Sequence, residues 1–190
     1  PDLPEAHLAL GWYYYWGFMK YDRALSEFAI AAEVLPNNAE THAGMASVMR
    51  RQGRWDSAID HHFQACELDP LHSDYQGNTG FTLMVTRRYA EAERFFDRSI
   101  FLAPDQRWVY GFKAQMQCLW KGDIEGAHKI LRDIPEGIDI NTRLYFEVEI
   151  IRRDYPATLE LLKALPEEFI ESPYYTIPKA LYIGLIHYYM

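Results

Sequence analysis

Residues 31–38, 65–72 and 99–106 read AAEVLPNN, ACELDPLH and SIFLAPDQ, three segments that end alike. Their prolines, Pro36, Pro70 and Pro104, recur every 34 residues. Twelve residues before each proline stands an alanine (Ala24, Ala58, Ala92), and three before each alanine an aromatic (Tyr21, Trp55, Tyr89). Another small residue lies twelve or thirteen positions upstream of each alanine: Gly11, Ala46 and Gly80. A fixed period of this length marks a repeat architecture.

The spacing suits two antiparallel helices per unit. Small residues at two fixed places let helix backbones approach closely, and the proline ends the second helix. The aromatic before the second helix covers the seam, and the turns MKYD, GRWD and RRYA are short enough for an antiparallel hairpin. Such a hairpin leaves one apolar face uncovered, so units must stack. In the first unit the step from Gly11 to Ala24 is thirteen residues instead of twelve, which lengthens its first helix or its turn.

These residues resemble the tetratricopeptide repeat. RWDSA and AIDHHFQACELDP in the second unit, and YAEAERFFDRSIFLAP in the third, carry most of the likeness. The Ala-x-x-x-Phe element is literal in Ala24 to Phe28 and Ala92 to Phe96, whereas the second unit has His62; the leading Trp of the signature is replaced by His7, His42 and Gln76. The resemblance implies an all-α, right-handed superhelical solenoid of about five antiparallel hairpins and one terminal helix, a single array over residues 1–190. Well-matched repeats fall at about 4–37, 38–72 and 73–106, divergent ones at about 107–136 and 137–166, and a lone helix at about 174–190. Pro135 and Pro166 come early, so the second helices of the last two hairpins are expected to be about a turn shorter.

Composition excludes several classes. The formal charge is −8, and no run of Lys or Arg exceeds a pair, so nucleic acid is not an expected partner. The apolar stretches are too short or too interrupted for a membrane span. Two cysteines, Cys66 and Cys118, read as buried free thiols and suit a reducing cytoplasm. His61 and His62 are adjacent on a helix and point about 100° apart, which makes them poor joint metal ligands; His62 is expected to pack in place of Phe. Glu147 and Glu149 read as a solvated face. With no phosphate loop and no convergent acid–base pair, the expectation is a non-enzyme without cofactor or metal.

What remains is the surface formed by the first helices. By resemblance to the family, the groove is lined by fixed positions of each unit. The first unit supplies Leu8, Trp12, Tyr15 and Trp16, the second Ser47, Arg50 and Arg51, the third Phe81 and Met84, and the fourth Gln115. The Lys and Asn residues with which some family members grip a C-terminal carboxylate are absent at Leu8, Trp12, Ala43, Ser47, Gly77 and Phe81. The expected partner is a protein or peptide with apolar and acidic residues, because aromatics bury its apolar side and an arginine pairs with a carboxylate. Tyr14 is expected between the two helices of its hairpin, and Tyr13 against a preceding repeat.

Two other readings stand beside it. The GWYYYWG opening, the RRQGRWDSA turn and the LWKGDIEGA unit are similar to repeat arrays C-terminal to bacterial signalling modules such as cyclases, TolB-like proteins, winged-helix regulators and kinases. That likeness implies a regulatory region in a larger signalling protein, and the apolar final helix is consistent with a piece of a longer chain. The same unpaired helix also suggests self-association.

Overall fold

The computed structural model describes residues 3–135, 148–164, 169–171 and 176–190. It divides into two compact units, Pro1–Ala103 and Pro104–Met190.

The first unit holds three antiparallel hairpins. Helix α1 (Pro4–Trp12) runs on into a π-helical turn, Tyr13–Gly17, and pairs with α2 (Tyr21–Val34). Helix α3 (Ala39–Arg51) pairs with α4 (Trp55–Leu68), and α5 (Ser73–Val85) with α6 (Tyr89–Leu102). The π turn is where the thirteenth residue of the Gly11–Ala24 step goes. A single inserted residue inside a helix is accommodated by widening one turn, and here the amide of Lys20 donates to the carbonyl of Tyr14 at 3.0 Å, six residues back.

The core follows the small-residue pattern. Ala24, Ala58 and Ala92 have no exposed surface, and neither do Phe28 and Phe96. A Cβ on Gly11 would stand 2.5 Å from the ring of Phe28, and one on Gly80 2.8 Å from that of Phe96, so each glycine is required by the ring against it. In the second hairpin the equivalent residues are Ala46 and His62: where the small residue gains a methyl, the aromatic loses ring atoms. His62 is 1% exposed, in the place its repeat gives to Phe. Tyr14 and Tyr21 pack at the edge of the cluster around Phe28, as the hairpin register requires.

Among the described residues, a left-handed residue follows the first helix of each hairpin. Met19 (φ 50°), Gly53 (φ 74°) and Arg87 (φ 62°) are 34 residues apart in the first unit, and Gly122 (φ 66°) and Arg153 (φ 64°) close the corresponding helices of the second. The following amide reaches back to the helix: Arg54 donates to Met49, Arg88 to Leu83 and Asp154 to Glu149, at 2.9, 2.9 and 3.1 Å. This is the αL helix stop that glycine favours.

In the second unit, α7 (Arg107–Lys121) pairs with α8 (Ile124–Arg132), followed by helical residues 148–152, α9 (Tyr155–Ala164) and α10 (Lys179–Tyr189). Helices α8 and α9 have 9 and 10 residues against 14 in each of α2, α4 and α6, which is the expected shortening. Residues 136–147, where the first helix of the hairpin expected at about 137–166 would start, lie outside the described residues. Three findings correct the sequence expectations. A two-stranded antiparallel hairpin, β1 (Phe169–Glu171) with β2 (Thr176–Pro178), precedes α10 and sets Ile170 opposite Ile177, so the terminal helix starts at Lys179, just after Pro178. The final helix also has a partner, since Ile186, 1% exposed, packs with Leu159 and Leu162 of α9. Glu149 is buried instead of solvated, and one carboxylate oxygen lies 2.7 Å from His128 Nε2.

Candidate functional site

Nine of the ten groove candidates lie in the first unit, on α1 with its π turn, α3 and α5. Gln115 lies on α7 of the second unit and is half-buried.

Four of the nine are withdrawn from solvent: Leu8, Tyr15, Ser47 and Met84. For Tyr15 the cause is plain. Arg51 of α3 lies across it, its guanidinium 6.0 Å from the ring centre and its Nε donating to the phenol oxygen at 3.2 Å. Leu8 joins the cluster around Phe28. The groove surface is therefore narrower than the sequence pattern suggests.

The remaining five come together in two groups. Trp12 is half-buried, edge-on to Phe28 at 5.1 Å and to Tyr15 at 5.7 Å, and its indole N–H donates to Glu40 Oε1 at 2.9 Å. Trp16 is 55% exposed and meets Tyr15 edge-on at 4.8 Å. With Arg51, exposed on α3, these residues form an aromatic and cationic corner between α1 and α3. The second group joins α3 to α5: Arg50 lies 5.0 Å above the ring of Phe81 and donates to Thr82 Oγ1 at 3.1 Å and to Asn78 Oδ1 at 3.3 Å. Asn78 and Thr82 were not among the sequence candidates; as short polar residues on a first helix they carried no signal until the neighbouring Arg50 was placed.

Burial, with the charges of Arg50 and His61 added, holds the His62 imidazole well below its usual pKa, and neither of its ring nitrogens has a hydrogen-bond partner. His61 is lowered first by burial and then by His42, whose Nδ1 lies 2.9 Å from His61 Nδ1. Burial pushes the Cys118 thiol up to about 11 and raises that of Cys66; both cysteines are free and buried. Among the described residues no three His, Cys, Asp or Glu side chains converge as a metal site, and no helix is long and apolar enough to cross a membrane.

No family model matches the chain. Among curated proteins, it is 36% identical over 87 residues to the protein O-mannosyl-transferase Tmtc2 of Drosophila melanogaster, covering 45% of this chain and 9% of that protein. It is 29% identical over 84 residues to the small glutamine-rich tetratricopeptide repeat-containing protein 2 of Mycosarcoma maydis, covering 44% and 24%. The chain thus spans a quarter or less of the length of these relatives. Among solved structures, Pseudomonas aeruginosa PilF superposes with a TM-score of 0.67 at 19% identity, over 84% of this chain and 73% of that one. MamA gives 0.64 at 18%, over 82% and 83%. The Thermobaculum terrenum O-GlcNAc transferase gives 0.65 at 16%, over 68% and 25%. Repeat signature, hairpin packing and these likenesses agree: the chain resembles the tetratricopeptide repeat family, and its fold is the tetratricopeptide-type helical array.

Proposed function

We propose that this chain is a protein-interaction module, and that the α1–α3–α5 face of its first unit holds a peptide or helix with apolar and acidic residues. The observation that carries this reading is the corner formed by Trp16, Trp12 and Arg51. An indole more than half exposed and a guanidinium, each packed against Tyr15, offer apolar area and a charge that suits a carboxylate, and Trp and Arg are the residues on which binding energy concentrates. Arg51 donates its Nε to Tyr15, which orients the guanidinium, and a guanidinium is a planar fork that matches a carboxylate. Arg50 has the same chemistry but is tied to Asn78, Thr82 and Phe81, so it serves first to join α3 to α5.

The test is a titration of the chain with a panel of peptides that carry aromatic or leucine anchors next to Asp or Glu, followed by tryptophan fluorescence. Trp16→Ala should weaken binding by about tenfold, some 1.4 kcal/mol, with little effect on melting, because that ring contributes little to the core. Peptides that bind the variant as well as the parent chain would remove Trp16 from the site.

A further inference from the structure

We infer that the turn edge of the first unit, where each first helix reverses into its second, rests on an anionic lipid bilayer, with Phe18 and Met19 entering the interface and arginines on the headgroups. The turn segments 16–24, 50–58 and 84–92 hold seven Lys or Arg against three acids, Asp22, Asp56 and Glu91. The rest of residues 1–103 holds two Lys or Arg against eleven acids. At the opposite edge, the connections 31–40 and 65–74 carry five acids and no Lys or Arg. A chain of formal charge −8 therefore has one cationic edge.

Contacts between the turns make them one edge. Gln52 Nε2 donates to Asp22 Oδ1 at 2.8 Å, Arg51 lies across Tyr15, and the Arg88 guanidinium stands 5.8 Å from the ring of Phe63 on α4. Arg88 is held by both carboxylate oxygens of Glu91, and Arg50 is half-buried against α5; Lys20, Arg23, Arg51, Arg54 and Arg87 are the exposed cations. The first turn adds apolar surface. Phe18 is 49% and Met19 71% exposed, next to the exposed Trp16, and Lys20 stands 5.3 Å from the Phe18 ring. At the places of Phe18 and Met19 the second turn has Gln52 and Gly53, and the third Thr86 and Arg87. Gly53 and Arg54 are exposed although their hairpin has a neighbour on either side, so the openness of this edge belongs to the turns themselves.

Charge and shape together select a bilayer. A hairpin turn projects from the ends of its helices, so side chains at its tip cannot enclose a peptide as a groove does, but they can enter an apolar phase. Aromatic residues suit the headgroup level of a membrane, and cations beside them are drawn to anionic lipid. An apolar tip and a polybasic strip are each weak anchors that become firm in combination. The acidic edge does not cancel this attraction. Helix α3 has 13 residues, which sets the two edges about 20 Å apart, more than twice the screening length of about 8 Å in physiological salt.

The experiment mixes the full chain with vesicles of phosphatidylcholine, alone or with phosphatidylserine, and measures the sedimented fraction. The expected result is sedimentation with the phosphatidylserine vesicles only, reduced but not abolished by raised salt. Phe18→Gln with Met19→Gly gives the first turn the residues of the second, and Arg54→Glu with Arg87→Glu reverses two exposed cations; each pair should weaken binding at least about tenfold. All four positions lie outside the groove, so the result is independent of whether the groove binds a peptide. Circular dichroism of both double variants separates loss of the edge from loss of the fold, and all four residues are exposed. Phosphatidylserine vesicles that sediment the chain no better than phosphatidylcholine ones overturn the proposal. So does binding that the turn variant leaves unchanged and that salt removes entirely, since the edge would then be a cationic strip for any acidic polymer, a protein included.

Discussion

Gly44, in the second hairpin, lies so close to Phe28 of the first that a Cβ on it would stand 2.6 Å from the ring. With Gly11 on its other side, Phe28 is held between two glycines of different hairpins, so one ring sets the separation both within a hairpin and between neighbours. Gly44→Ala should destabilise the first unit by about 1–3 kcal/mol through overpacking. Urea unfolding checks this, and an unchanged midpoint would show that the ring yields at little cost.

The left-handed residues at the ends of the first helices suggest a gain. Gly53 and Gly122 adopt that conformation freely, while Met19, Arg87 and Arg153 adopt it against the cost of a Cβ. Arg87 is exposed, so Arg87→Gly should raise stability by up to about 1 kcal/mol and Gly53→Ala should lower it by a similar amount. Thermal melting of the two variants should move in opposite directions.

Buried histidine makes stability depend on pH. The His62 pKa is lowered by burial, and His61 by burial and by His42, so the unfolded chain binds these protons more readily than the folded one. Stability is then complete above the ordinary value of 6.5 and falls as the pH drops below it, by at most about 1.4 kcal/mol per pH unit for each histidine. The unfolding midpoint should decline between about pH 6.5 and 5. The double variant Ala46→Gly with His62→Phe, which restores the pairing of the other two hairpins, should flatten that decline. Equal slopes would assign the effect to other groups.

The repeat was legible because packing constrains its residues: Ala24, Ala58 and Ala92 are fully buried, and Pro36, Pro70 and Pro104 follow the second helices. The thirteenth residue between Gly11 and Ala24 was visible as a count, but its form as a π turn depends on hydrogen bonds that no residue type announces. The left-handed stops were half visible, signalled by Gly53 and Gly122 and hidden at Met19, Arg87 and Arg153, where position overrides propensity. The groove was the least legible. Leu8, Tyr15, Ser47 and Met84 occupy lining positions by register, yet their exposure depends on what the neighbouring helix lays over them, as Arg51 does over Tyr15. The β1–β2 hairpin and the buried Glu149–His128 pair arise where the repeat pattern has already decayed.

The most direct measurement of the interaction account is a charge swap at Arg51. A peptide with a leucine or aromatic anchor beside Asp should bind the parent chain and lose at least about tenfold in affinity to Arg51→Glu, and the same peptide with Lys in place of Asp should bind Arg51→Glu better than it binds the parent. If both peptides bind both proteins alike, or neither binds at all, the α1–α3–α5 face is not a site for an acidic, apolar ligand.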